Sequence, residues 1–324
     1  MHSENSPLLS IIIVTWNGKR YALECLESLH LHPPKVAMEI IVVDNASTDG
    51  TPAAIREQFP QVRIVENQAN LGFAKANNAG VALSQGKYVA LINSDVVVYE
   101  GCLDKLLEVM EANSDIGIMG PRMICPDGSV GLSVMRLPTV WNTLCAALAL
   151  QSVLPNSQRL AGFSVRTDGT LGIKDVQVVT GWFWITSRRA LAQVGGLDER
   201  FFMFGEDIDW CQRFSKAGWR VAFCGNTESL HYGGGSSEEA PARYYVEMRR
   251  ANLQYFQKHH GRLGAAGYRI AIAIHELSRI AGYSLSYCLH RADRMNAGSK
   301  VRRSVSCLQW LMGNHSLIMR HAGE

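Results

Sequence analysis

An α/β fold is predicted here: a mixed, largely parallel sheet with helices on both faces, followed by a helical C-terminal region. Three observations carry that reading. Short apolar runs rich in β-branched residues alternate with helical patterns from the first residues onward. Polar clusters fall at the ends of those runs. The alternation stops near residue 115, and the last stretch of about 85 residues shows only helical patterns.

Leu9 to Trp16 (LSIIIVTW), Glu39 to Asp44 (EIIVVD), Val62 to Glu66 (VRIVE) and Tyr88 to Asn93 (YVALIN) read as strands buried on both faces. Lys19 to Leu31, Thr51 to Phe59 and Phe73 to Leu83 between them place apolar residues at helical spacing. Repeated strand, helix and strand with right-handed crossovers make a layered sheet. Ile116 to Met123, Val176 to Thr186 and Arg220 to Cys224 are predicted as further strands of a mixed sheet. Residues 124–175 hold an apolar helical stretch, Val140 to Leu154, ended by Pro155, and then a polar loop; this segment is read as a cover over the substrate. Helices are expected over Arg243 to His260, Ala265 to Leu289 and Lys300 to Met312. The division that follows is residues 1–240 for the sheet domain and 241–324 for the helical region.

With 324 residues, 47% hydrophobic and 19% charged, the chain can bury a full core and is not a disordered protein. A net charge of +3 excludes a general nucleic-acid coat. Its distribution is uneven: residues 241–324 carry 13 basic and 4 acidic residues, against 19 and 25 before them. A basic tail with apolar runs suits an anionic membrane surface or a polyanionic acceptor, and a solvated helical face is the plain alternative. Eight cysteines without a CxxC pair or regular spacing argue against a zinc ribbon or a disulfide framework. Neither a signal-peptide pattern nor an apolar stretch of roughly 18 residues is present, so a cytoplasmic protein is expected.

In such sheets ligands bind beyond the carboxyl ends of the strands. Trp16-Asn17-Gly18, the turn Asp44 to Gly50 and Asn93-Ser94-Asp95 all fall there. Asp44 can accept hydrogen bonds from a base or ribose, or Asp44 or Ser47 can cap the helix beginning near Thr51. Asp95 suits a hard divalent cation bridging phosphates, or a plain turn. Glu206, Asp207 and Asp209 crowd the start of a helical pattern, where the helix dipole alone favours acids. Phe201 to Phe204 before them would exclude water and raise a carboxyl pKa, which makes a better proton acceptor. His231 precedes the run Gly233 to Gly235 and can complete a metal shell or serve structure alone. Neither a Walker loop nor GxGxxG occurs.

The ordered set IIIVTWN, VVDNASTDGT, NQANLGFAKANNAG, ALINSDVVV, TGWFWITSRRALAQVGGLDERFFMFGEDIDWCQR and SLHYGGGSS, over residues 9–260, resembles the family 2 inverting glycosyltransferases of GT-A fold, in particular their rhamnosyltransferase-like branch. The resemblance implies that Thr15, Asn17, Asp44, Asn45, Asn70, Gly72, Phe73, Asn78, Asn93 and Ser94 bind the nucleotide. It implies Asp95 and His231 as ligands of Mg2+ or Mn2+, with Asn93 standing where the family's DxD motif has its first aspartate. Asp207 matches the catalytic base and Glu206 its neighbour. Trp182, Phe183, Trp184 and Asp209 fall on the acceptor side, with core packing as the alternative for the tryptophans.

The activity so implied is transfer of a sugar, rhamnose from dTDP-rhamnose in the favoured case, to a hydroxyl of a lipid-linked or polysaccharide acceptor in cell-wall or O-antigen synthesis. No nucleic-acid partner is expected. In the tail, Ile270, Ile274, Leu277, Ile280 and Ala281 form an amphipathic pattern, followed by Arg291, Arg294, Lys300, Arg302 and Arg303. Peripheral contact with the inner face of the cell membrane is one expectation; packing on the catalytic domain or a homo-oligomer is the other. A nucleotidyltransferase or nicotinamide oxidoreductase lacks its phosphate-binding loop here, and a non-catalytic sugar-nucleotide or glycan-binding module leaves Asp207 and His231 unexplained.

Overall fold

Leu9, Ile11 and Ile13 of strand β1 (Leu9–Thr15) are fully buried in one apolar cluster and Ile12 is fully buried in another, which is what a strand covered on both faces requires. The computed structural model describes residues 7–150, 157, 160, 162–165, 167, 169–233, 241–289 and 294–313. After β1 the chain runs through α1 (Lys19–Leu31), β2 (Met38–Asp44), α2 (Thr51–Gln58), β3 (Arg63–Glu66), α3 (Phe73–Leu83) and β4 (Tyr88–Asn93). The strands pair in parallel in the order β3-β2-β1-β4. Thr15 lies opposite Asp44 and Val14 opposite Asn93, so three strand ends finish level on one edge.

Beyond β4 come β5 (Val96–Val98), α4 (Cys102–Ala112), β6 (Ile116–Ile124), β7 (Val134–Met135), α5 (Val140–Ala147), β8 (Ser164–Val165), β9 (Ile173–Asp175), β10 (Val178–Val179), β11 (Phe183–Ser187), α6 (Arg188–Val194), α7 (Glu206–Lys216) and β12 (Arg220–His231). The main sheet has the order β3-β2-β1-β4-β11-β6-β12-β5, with β9 beside β12, and β10-β7-β8 form a small second sheet. Strand β11 is antiparallel to both β4 and β6, which makes the sheet mixed.

The strand expected over Val176 to Thr186 is two strands. Val178–Val179 pairs with β7, the chain turns at Thr180, and β11 then joins the main sheet. Strand β12 runs to His231 instead of ending at Cys224, because an irregularity between Cys224 and Glu228 absorbs the polar Asn226 and Thr227 before pairing resumes. Helix α5 begins at a capping box, with Thr139 accepting from the Asn142 backbone and Asn142 from that of Thr139, and it ends at Ala147. Residues 151–154 and Pro155, where that helix was expected to stop, lie outside the described residues, as do Gly234, Gly235 and Arg291.

Helix α8 (Pro241–Leu289) is broken at Gly261, where φ 65° and ψ −164° leave the helical region, and α9 (Arg294–Leu311) follows. These helices share the core of the sheet domain. Val246, Tyr255, Phe256, Tyr268, Ile272, Cys307 and Trp310 join the cluster that contains Ile12, Trp184 and Phe214. No helix among the described residues is long and apolar enough to cross a membrane.

A buried charge cluster fastens α8 to α7. Asp209 is wholly buried and meets Lys258 Nζ at 2.6 Å, His259 Nε2 at 2.7 Å and Arg213 Nε at 2.8 Å. Lys258 also bridges to Asp198 at 2.7 Å. Removing one partner of a buried ionic cluster leaves the others desolvated and unpaired. Asp209→Ala is therefore expected to destabilise the fold by about 3–5 kcal/mol in denaturant unfolding. A loss below about 1 kcal/mol, the range of an exposed pair, would contradict the clamp.

Candidate active site

The level ends of β1, β2 and β4 open into one cavity of about 1170 Å³. Asp95, Asp207 and His231 all line it, although they lie far apart in sequence. So do Thr15, Asn45, Asn70, Gly72, Phe73, Asn93, Ser94, Trp182 and Glu206.

On the strand-end side, Thr15 Oγ1 and Asn93 Oδ1 are buried without a hydrogen-bond partner. Buried polar atoms are rarely left so, and two beside a cavity mark where a ligand can satisfy them. Asn45 is held by donating to Gly72 O at 3.2 Å and accepting from Asn67 at 2.8 Å. The loop at Asn70 turns tightly, with Asn70 Oδ1 accepting from Gly72 N at 3.0 Å. Gly72 has φ 83°, and a Cβ there would sit 2.6 Å from the Phe202 carbonyl oxygen. Only glycine fits both constraints. Phe73 N then donates to that same carbonyl at 2.7 Å, which joins this loop to the aromatic segment before the acid pair.

Register builds the next part. Antiparallel pairing of β5 and β12 sets His231 opposite Val96, and Tyr232 N donates to Asp95 O at 3.0 Å. His231 Nε2 thereby lies 3.1 Å from Asp95 Oδ1 and 3.5 Å from Asn93 Nδ2. The Trp182 ring stacks on the imidazole, with centroids 5.6 Å apart and planes inclined by 22°. A carboxylate, an imidazole and the unpartnered amide oxygen of Asn93 suit a divalent cation that also takes phosphate oxygens. Among the described residues no three His, Cys, Asp or Glu side chains converge, so the described chain offers two such ligands.

Two successive left-handed residues, Phe204 with φ 67° and Gly205 with φ 79°, turn the chain sharply into α7. Glu206 and Asp207 thus stand at the helix start and face the cavity. Asp207 Oδ1 accepts from Ile208 N at 2.8 Å. Burial pushes the Asp207 carboxyl up to about 6, with backbone donors opposing the shift. Burial, then the neighbouring Asp207 charge, drives Glu206 well above the usual carboxylate range, and its Oε2 has no partner. Both carboxyls of this adjacent buried pair are therefore held above the usual carboxylate range.

Six expected site residues do not reach the cavity lining. Phe183 and Trp184 are fully buried in opposite clusters, since adjacent strand residues face opposite sides and helices cover both; Trp184 Nε1 donates to Val179 O at 3.1 Å. Asp209 belongs to the clamp on Lys258 and His259. Asn78 holds both backbone groups of Leu197, at 2.8 and 2.9 Å. Asn17 accepts from Thr48 N at 2.8 Å and ties two loops together. Asp44 is buried behind Asn45, accepting from Ser47 N at 2.8 Å through one oxygen while the other is unpartnered. It is not a helix cap: α2 starts at left-handed Gly50 without a side-chain cap.

The sequence profile of Glycosyl transferase family 2 matches residues 10–194, more than half of the chain. The chain belongs to glycosyltransferase family 2.

Relatives of this family 2 glycosyltransferase include an N-acetylglucosaminyl-diphospho-decaprenol L-rhamnosyltransferase of Mycobacterium tuberculosis, 29% identical over 264 residues, which is 78% of this chain and 85% of the relative. A low-salt glycan biosynthesis hexosyltransferase of Haloferax volcanii is 24% identical over 229 residues, 69% of this chain and 66% of the relative. The fold is similar to that of a mannosyltransferase from Pyrobaculum calidifontis, solved with GDP-Man and Mn2+, at a TM-score of 0.56 and 16% identity over 97% of this chain and 89% of that one. The architecture is thus GT-A-like, with a helical C-terminal region.

Sequence reasoning missed one wall of the glycosyltransferase cavity. Tyr244, Met248, Arg249 and Asn252 of α8 line it, together with Arg136 and Phe163 from the segment read only as a cover. The signal was the four-residue spacing of 244, 248 and 252, which puts these side chains on one helix face.

Proposed function

We propose that this glycosyltransferase moves rhamnose from dTDP-rhamnose to a hydroxyl of a lipid-linked or polysaccharide acceptor, with inversion at the anomeric carbon. The observation that carries the reading is the shared cavity: Asp207 stands in the same space as Asp95 and His231. The choice of rhamnose and of a lipid-linked acceptor leans on the mycobacterial relative, whose activity joins those two.

Ionised Asp207 takes the proton of the acceptor hydroxyl. The acceptor oxygen forms its bond to the anomeric carbon as the bond to the nucleotide diphosphate breaks, and the electron pair leaves with the diphosphate. Attack opposite the leaving group inverts the centre in one displacement, without a covalent enzyme intermediate. Burial and the adjacent Asp207 charge favour the protonated form of Glu206, which limits the negative charge beside the reacting centre. Asp95 and His231, with Asn93, would hold Mg2+ or Mn2+, and the bound cation would supply charge neutralisation to the leaving diphosphate. Thr15, Asn45, Asn70 and Ser94 would orient the nucleotide at the strand ends.

The exposed apolar ridge of α8 supports peripheral contact with an anionic bilayer in the cytoplasm. Leu263, Ile270, Leu277 and Leu285 are 58–89% exposed on its outer side, and Arg262, Arg269 and Arg302 are exposed near them in sequence. A lipid-linked acceptor would then meet the cavity at the same helix.

Four outcomes are expected. Asp207→Asn keeps nucleotide binding and lowers kcat by at least ~10²-fold, the usual effect of removing a general base. In the native enzyme kcat/KM falls about tenfold per unit as pH drops below about 6, because the reactive form is the ionised one and its pKa is raised; near-normal turnover in the variant, or a rate flat down to pH 4.5, refutes the base. Asp95→Ala weakens donor binding and abolishes stimulation by Mn2+, and an unaltered response to chelation in the native enzyme refutes the cation role. Native protein co-sediments with anionic liposomes while the double variant Ile270→Asp, Leu277→Asp remains in the supernatant; equal sedimentation of both removes the ridge from the reading.

A further inference from the structure

The imidazole of His231 meets its polar neighbours through one nitrogen. Nε2 lies 3.1 Å from Asp95 Oδ1 and 3.5 Å from Asn93 Nδ2. A metal-ligating histidine is ordinarily held in its plane by a hydrogen bond on the second nitrogen. Among the described residues Nδ1 of His231 makes none. The torsion that rotates an imidazole is broad and sets no plane of its own. The orientation of this ring therefore depends on what covers its face.

Trp182 covers it. The two rings stack with centroids 5.6 Å apart and planes inclined by 22°, a contact that adds to the area it buries. The same residue holds a second member of the corner by its backbone, because Trp182 O accepts from Asn93 N at 2.9 Å. Two of the three groups assigned to the cation are thus located by one residue. Trp182 is itself anchored: its N–H donates to Thr180 O at 3.0 Å, and its ring meets that of Phe183 edge-on with centroids 5.7 Å apart. A Cβ on Gly181 would come within 2.9 Å of the Trp184 ring and 3.4 Å of Asp207 Cβ, so the turn leading to Trp182 is packed closely. Although Trp182 lines the cavity, at 3% exposed its ring offers little free face to a sugar.

We infer that Trp182 is a positioning residue for the cation corner: its ring sets the plane of His231 and its carbonyl the place of Asn93, which keeps both side chains beside Asp95. This inference rests on the reading of Asp95, His231 and Asn93 as the groups that hold Mg2+ or Mn2+. It gives the tryptophan a task on the donor side of the cavity, separate from contact with an acceptor.

The test measures Mn2+ affinity directly, from the electron paramagnetic resonance signal of the free ion in the presence of dTDP, with the affinity for thymidine measured alongside. Native protein binds the ion, and Trp182→Leu is expected to weaken that binding about tenfold, the lower end of what losing a group that orients a metal-ligating histidine costs. Trp182→Phe keeps an aromatic face on the imidazole and retains most of the affinity. Both variants bind thymidine, which has no diphosphate, as native protein does. Native Mn2+ affinity in the leucine variant overturns the inference, and so does an equal loss of Mn2+ and thymidine binding, which would leave Trp182 a structural role only. A second readout needs no folded leucine variant: in protein labelled with fluorotryptophan, the fluorine resonance that Trp182→Phe lacks is broadened by Mn2+ and not by Mg2+. A sharp resonance there with Mn2+ bound overturns the inference. Absence of Mn2+ binding by native protein with dTDP overturns the cation reading beneath it, and the inference with it.

Discussion

Antiparallel pairing of β5 with β12 is the constraint on which the rest of the site depends. Three residue pairs join strands that are more than 120 positions apart, and they set His231 opposite Val96. That register gives the 3.1 Å approach of His231 to Asp95. A slip of one residue would turn the imidazole to the other face of the sheet. Pairing of β12 with β6 fixes the strand from its other side, so the histidine is located by two ladders at once.

The acid pair is positioned by different means. The left-handed turn at Phe204 and Gly205 delivers Glu206 and Asp207 to the cavity, and the Asp209 clamp fixes the following turn of α7 against α8. Backbone strain at a non-glycine left-handed residue persists only where packing over-determines it. Phe201 and Ala251 supply such packing, each within 3.2 Å of where a Cβ on Gly205 would be. Helix α8 therefore serves the cavity twice, as a wall and as the anchor of α7.

Much of this was legible in the sequence because β1, β2 and β4 carry apolar runs that the fold largely buries, whereas β3, also expected to be buried on both faces, is the edge strand with Arg63 and Glu66 exposed. Polar residues at their ends could then be assigned to one edge. What stayed hidden depended on tertiary contact. Strand β5 is three valines long, too short to separate from a turn, and the far half of β12 is disguised by Gly225, Asn226 and Thr227. Trp184 and Asp209 have the residue types of a substrate site at credible positions, yet the core and the clamp use them. The α8 wall was seen as a helix, but a helical pattern does not reveal which neighbour its face meets. The apolar ridge at Ile270 and Leu277 shows the same limit: the buried side of that helix is instead formed by Ala265, Tyr268, Ala271 and Ile272.

Charge placement is the common thread of the cavity. Asp95 and His231 at the strand ends, Glu206 and Asp207 at the start of α7, and Arg243 and Arg249 on α8 line one cavity. Strand ends, a helix start and the C-terminal helix each contribute part of the lining, so a rigid scaffold holds the geometry between them. The most direct measurement is a crystal structure with dTDP and Mn2+ bound. The expected result places the diphosphate and the ion at Asp95 and His231, with the Asp207 carboxylate facing the same space. Nucleotide bound elsewhere, or Asp207 turned away from the diphosphate into a separate cavity, would contradict it.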